Sequence, residues 1–467
     1  MKLILNKNIS ITVLLYAVLI IVGVYSPPIV SLIFALLFIT VVSYLNTTSI
    51  FSGNAKANSF FAAFPVIISC FQNLYLGLAA NRLNTITLQV MLTIGIAIVA
   101  FTLFLGITLK KFVKSEFNWL LFCIFEILFQ SIFLSLFYPT SFAAYLSSLR
   151  NILAPLLILL YSVYSFKKID VSLFYKLIFN TSIIVILFGF VEYLIGNNLW
   201  ISLNITKLWE LKGMPLKGIL VPGNWYSSEM IGGNQLRRMV SSFADPVNLG
   251  SYLFAAFMLA WYRRKRILQF LLFFSFILCV SKGAFLSFLV FIVVYSWIND
   301  KNKILAILGM VISLSAGVLF YIFSQNSSSG SMNAHINGFL SALTMPLKYP
   351  LGMGAGNVGV LASKLGSTTA LNSSVLETGI GMVISQFGFI GALIYTYFFG
   401  KLLLIGKGIG GQRDKILWYT LILGFLANAM FNEVALSPNS CSLYFLTLGF
   451  LYNLNFTWIT EKGDLNL

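Results

Sequence analysis

Runs of about 20 apolar residues recur along this chain from residue 9 to residue 459, and nothing else limits its fold so strongly. A helix of that length just crosses the hydrocarbon core of a bilayer, where each backbone N–H and C=O must be satisfied inside the helix. Fourteen runs can be counted, near 9–26, 29–45, 59–80, 86–109, 119–138, 143–166, 172–195, 247–262, 267–280, 284–298, 304–323, 376–405, 416–435 and 441–459. The short pair at 267–280 and 284–298 also reads as one broken or re-entrant element around Ser281-Lys282-Gly283, so the count is 12–14. The predicted class is an all-α polytopic membrane protein. Composition agrees: 59% of the 467 residues are hydrophobic and only 9% charged, where a soluble domain carries about a quarter.

The net charge of +17 does not point to nucleic acid, because the basic residues are scattered in small clusters between the apolar runs rather than gathered on one face. They set topology instead. With the N-terminus in the cytoplasm, nineteen of the 30 lysines and arginines fall on the inner side, including Arg263-Arg264-Lys265-Arg266. This predicts an even number of spans, with both termini cytoplasmic and the N-terminal run retained as the first span. The chain then divides into an N-terminal bundle (1–195), a first long outer loop (196–246), central helices (247–323), a second long outer loop (324–375) and C-terminal helices (376–467). Outer loops of this length are usually functional. Cys70, Cys123, Cys279 and Cys441 lack CxxC spacing and read as small core residues. A single histidine, His335, excludes an HExxH zinc site, and no metal or cofactor is expected.

Three groups of residues can carry chemistry. Where the first loop re-enters the membrane, Arg237 and Arg238 precede Ser241, Asp245-Pro246 and Asn248. Asp245 suits a helix N-cap and Pro246 a first turn; a helix N-terminus with two guanidiniums makes a diphosphate site. The same arginines equally suit lipid headgroups or pairing with Asp245. Lys282, at the outer end of the two short spans, reads as a second cation or as a lysine reaching the interface. The second loop and its exit bring His335, Lys348, Asn372 and Glu377, with Glu433 near the outer end of a later span. Glu377 suits a general base or an acceptor-orienting group, or a helix cap. Glu126 and Glu192 lie within spans, with Arg150 and Lys176 as candidate partners. The glycine-rich stretch Leu351–Asn357 lacks the Lys-Ser/Thr of a P-loop and reads as a flexible turn.

In order, these pieces resemble a family. Arg237/Arg238-x-x-Ser-Ser-Phe-x-Asp-Pro-x-Asn, continuing to Tyr252, resembles the Arg-x-x-Ser/Gly-x-Phe-x-Asp/Asn-Pro signature of bacterial O-antigen polymerases (Wzy-type) and O-antigen ligases. Ser281-Lys282-Gly283-Ala284 resembles their Ser-Arg-Gly/Ser-Ala step, with lysine for arginine. Pro350 to Gly354 resembles their Pro-x-x-Gly-x-Gly turn, and Glu377 to Gly391 their Glu-(x)10-Gly-x-x-Gly stretch. The motifs cover residues 237–391, while the first 195 residues match in hydropathy only. Ligases carry a His-Asn pair where this chain has Glu377, which favours polymerase.

The resemblance implies a GT-C-like glycosyltransferase of the bacterial inner membrane that needs no metal or cofactor. A polymerase of this type moves the growing glycan from undecaprenyl diphosphate onto the non-reducing end of another undecaprenyl-diphosphate-linked repeat unit. It also implies a diphosphate held by Arg237, Arg238 and Lys282 beside Ser241, Asp245 and Asn248, and an acceptor handled by Glu377 or His335. Lys348, Asn372 and Glu433 are further candidates. A polysaccharide chain-length regulator is the expected protein partner. An O-antigen ligase, using the lipid A core as acceptor, is the alternative; a transporter or flippase is the alternative of another class.

Overall fold

The computed structural model describes residues 7–109, 117–166, 168–213, 216, 220–231, 234–299, 331–359 and 378–456, with isolated positions between 307 and 322. The apolar runs fold as helices, and several begin at a side-chain cap that satisfies a first-turn N–H. The N-terminal set is α1 (Lys7–Tyr25), α2 (Pro28–Ser52), α3 (Ala55–Ala79), α4 (Thr85–Thr108), α5 (Asn118–Ser135), α6 (Phe142–Ser165) and α7 (Val171–Ile195). Asn54, Asn84, Ser141 and Asp170 accept from the backbone of α3, α4, α6 and α7 in turn. The first long loop follows, with short helices α8 (Asn197–Ser202) and α9 (Ile205–Leu211) and an antiparallel hairpin of β1 (Tyr226–Ile231) and β2 (Asn234–Arg237), in which Tyr226 faces Arg237.

Next come α10 (Pro246–Tyr262), α11 (Arg266–Cys279) and α12 (Lys282–Ile298), then α13 (Ser331–Lys348), α14 (Gly379–Lys407), α15 (Gln412–Phe431) and α16 (Pro438–Phe456). Among the described residues, eight helices are long and apolar enough to cross a membrane: α1 to α7 and α14. The two short spans are separate helices, α11 and α12, parted by Val280 in a left-handed conformation (φ 47°) and by Ser281. The span expected at 304–323 lies largely outside the described residues.

Polarity runs inside out relative to a soluble protein, as lipid demands. Phe125, Phe129 and Ile132 on α5 are 66%, 57% and 60% exposed, while the polar groups of neighbouring helices meet inside the bundle. Asn46 Nδ2 donates to Tyr161 Oη at 2.8 Å, and that hydroxyl donates to the Phe61 carbonyl at 2.8 Å. The larger apolar core gathers α5 to α7, α10 to α12 and α14 to α16; a second gathers α1 to α4. Trp200, Leu208, Trp209 and Trp225 of the first loop belong to that second core, so the loop is packed onto the N-terminal bundle.

The glycine-rich stretch, expected as a flexible turn, is instead wedged between helices. Gly388 interrupts α14 with φ 58°, ψ −144°. Into that break Phe389 N donates to the Pro350 carbonyl at 2.9 Å, and Gly354 N to the Gln386 carbonyl at 2.9 Å. A Cβ on Gly388 would sit 2.0 Å from the Pro350 oxygen, and one on Gly352 2.3 Å from the Gln386 oxygen. Glycine is required there by contact as well as by positive φ.

Candidate functional site

One buried carboxylate shapes the return of the first loop into the bundle. Glu192, near the end of α7, is fully buried. Its Oε1 accepts from Val240 N (2.8 Å) and Ser241 N (3.0 Å), and its Oε2 from Trp200 Nε1 (3.1 Å) and Arg237 Nη2 (2.7 Å). The ion pair of Glu192 is therefore with Arg237, not with the candidate partner Lys176. Arg237 Nε also donates to Asn197 Oδ1 at 3.1 Å. Arg238 is engaged with backbone carbonyls, its Nε with Cys279 at 3.0 Å and its Nη1 with Asn224 at 3.1 Å. Ser241 Oγ donates to the Val185 carbonyl at 2.6 Å. These bonds hold Ser241 and Ala244 in left-handed conformations (φ 45° and 50°), a local cost that such a dense network can sustain. Both guanidiniums expected to hold a diphosphate thus have protein partners.

Inside this turn lies a cavity of about 240 Å³. The loop contributes Trp209, Lys212, Asn224 and Asp245; α10 contributes Asn248; the α15–α16 turn contributes Asn432 and Glu433, and the start of α16 Asn439. Gln72 and Asn73 of α3, Gln89 of α4, and Arg150 and Asn151 of α6 complete it. Protein bonds fix much of this wall. Lys212 Nζ donates to Asn73 Oδ1 at 3.0 Å and sits 4.8 Å from the Trp209 ring centroid. Gln72 Nε2 donates to Asn439 Oδ1 at 2.6 Å. Asp245 caps α10 through Val247 N at 3.0 Å and accepts from Asn248 Nδ2. Asn248 Oδ1 accepts from Ser437 Oγ (2.8 Å) and Ser440 Oγ (2.6 Å), tying α10 to α16. Arg150 bonds Ser147 Oγ and Asn151 Oδ1 on its own helix rather than Glu126.

The charges in the cavity feel one another and the lack of water. Burial pushes the half-buried Lys212 down to about 7; Asp245 opposes that shift and Arg150 adds to it. Burial pushes Asp245 above its ordinary carboxylate value, against the pull of the Val247 N–H, Arg238, Lys212 and Asn248. An ammonium that titrates near neutrality beside a carboxyl that resists ionisation marks a functional-site candidate.

Of the residues singled out from sequence, Asp245, Asn248 and Glu433 line the cavity, while Arg237, Arg238 and Ser241 build the turn behind it. Lys282 opens α12, half-buried, and the next residue, Gly283, packs against Asn428 and Asn432. Lys348 is exposed at the end of α13, its Nζ 5.5 Å from the Tyr349 ring. His335 lies within α13, with its side chain outside the described residues. Glu377 and Asn372 lie outside the described residues; Thr378 caps α14, and Gly379 packs against Asn432 and Leu436. Lys212, Asn73, Gln89 and Asn432 were not singled out from sequence, and Arg150 only as a partner for Glu126. Their one sequence signal is polarity inside or beside an apolar run.

Compared with known protein families and with curated proteins, the chain matches none.

Proposed function

We propose that the chain is a polymerase of lipid-linked polysaccharide repeat units, transferring a growing glycan from undecaprenyl diphosphate to the non-reducing end of a second lipid-linked unit. The observation that carries this reading is the polar cavity beneath the first loop, where cations, carboxyls and amides from six parts of the chain meet. An unpaired polar group in such surroundings is expensive, so this concentration calls for a polar substrate. The GT-C-like arrangement with about 14 spans, the inner-membrane location and the cytoplasmic termini belong to the same proposal, which opens the cavity to the outer face.

Arg238 bonds the backbone of Asn224 in the cavity wall, and Lys282 precedes Gly283, which packs against the lining residue Asn432. In this reading they receive the negative charge that develops as the diphosphate departs, while Arg237 positions the turn. Glu377 and His335 remain candidates to orient the acceptor hydroxyl and take its proton.

The test is reconstitution of the purified protein in liposomes with synthetic undecaprenyl-diphosphate-linked repeat units and no ion gradient. A ladder of glycan lengths is expected, and Glu377→Ala should leave only the single repeat. Glycan movement across the bilayer without new glycosidic bonds would replace the reading with transport. Product formed only on added lipid A core would replace it with ligation.

A further inference from the structure

We propose that the cavity beneath the first loop is a subsite for one uncharged sugar ring, the terminal residue of the acceptor glycan. Only the word acceptor rests on the polymerase reading; the subsite itself rests on size, charge and unpaired polar atoms.

The volume of about 240 Å³ is well above the ~10–15 Å³ of such space that one water needs. That leaves room for a pyranose with its hydroxyls. The charges divide evenly: Lys212 and Arg150 face Asp245 and Glu433. A diphosphate placed here would meet both carboxyls, whereas an uncharged ring carries no charge for them to repel and can bond groups of either sign. The site carries both acceptors and donors. Among the lining residues, Gln89 Oε1, Trp209 Nε1 and Asn224 Oδ1 are buried polar atoms without a protein partner. A sugar hydroxyl donates and accepts at once, so the hydroxyls of a ring suit both the acceptors and the donor. The surrounding wall is already fixed by Lys212–Asn73, Gln72–Asn439 and Asn248 with Ser437 and Ser440, the preorganised frame a weakly bound ring requires.

Saturation-transfer NMR on the full chain in lipid nanodiscs tests this, with uncharged methyl glycosides of glucose, galactose, mannose and N-acetylglucosamine as probes and pyrophosphate as competitor. At least one glycoside should receive saturation, and pyrophosphate should leave that signal unchanged. Trp209→Phe keeps an aromatic ring but removes the N–H together with part of the indole; it and Gln89→Leu should each weaken binding about tenfold, one decade per lost bond. No saturation of any glycoside overturns the proposal, as does displacement by pyrophosphate. A signal indifferent to both variants, in protein whose thermal midpoint is unchanged, overturns it equally. Binding needs no turnover, so a chain that binds a glycoside yet builds no polymer refutes the polymerase reading alone. A chain that polymerises but binds none refutes the subsite alone.

Discussion

The Glu192–Arg237 pair yields a quantitative expectation that separates a loop-building arginine from a substrate-binding one. Arg237→Ala leaves the Glu192 carboxylate fully buried without its counter-charge. Removing one partner of a buried pair costs about 3–5 kcal/mol. Two features place this case at the low end. Trp200, Val240 and Ser241 still donate to the carboxylate, and the Arg237 side chain keeps 16% exposure, so water already reaches the pair. About 3 kcal/mol corresponds to roughly a hundredfold rise in opening of the turn, at ~1.4 kcal/mol per decade.

Hydrogen exchange reads this directly, because the Val240 and Ser241 amides are the ones bonded to Glu192. Both should exchange about a hundredfold faster in Arg237→Ala. Glu192→Gln combined with Arg237→Met should recover most of the protection. The glutamine carbonyl can still accept from both amides, and no charge is left buried. If Arg237→Ala abolishes polymer while the exchange of residues 240–241 stays as in the parent, the reasoning is wrong and the guanidinium acts on substrate.

Two further expectations concern pH and backbone. Lys212 holds its proton to about pH 7 in the folded chain, against an ordinary value of 10.5. The unfolded chain binds more protons between those values, so this residue makes stability rise with pH across that window and leaves it flat below. Lys212→Met lacks the rise, and thermal midpoints of parent and variant should diverge in the parent's favour from about pH 7 to 9; a constant difference would show that Lys212 titrates normally. Gly388→Ala combines positive-φ strain of about 1–3 kcal/mol with a Cβ 2.0 Å from the Pro350 oxygen, so loss of folded protein on size-exclusion chromatography is expected. Gly400→Ala, with nothing within 4 Å of the new Cβ, should be neutral or stabilising by about 0.5–1 kcal/mol; equal behaviour of the two variants would refute the wedge.

What could be read from the sequence and what could not divides by the range of the interaction. The helices were legible because bilayer thickness imposes a length on each apolar run, independent of its neighbours. The start of α10 at Asp245-Pro246 and the break at Ser281 were legible because caps and turns are local. Pairing was not. Glu192 finds Arg237 forty-five residues on, beyond any helical repeat, and not the candidate partner Lys176 of its own helix. The glycines of 352–356 looked flexible because their reason for being glycine, the broken helix around Gly388, lies elsewhere in the chain. The cavity was hidden in the same way, since Gln89, Arg150 and Lys212 each look like a lone polar residue until three elements meet. A trace of it was still present. Asn73 lies six residues from the end of α3, Gln89 four from the start of α4, Arg150 eight from the start of α6 and Asn248 two from the start of α10. At ~1.5 Å per residue all four fall within about 12 Å of helix ends on the loop side of the bundle. Polar residues on separate spans that share a depth can reach one another without crossing apolar layers, and that alignment, more than any single motif, is what the sequence carries of the site.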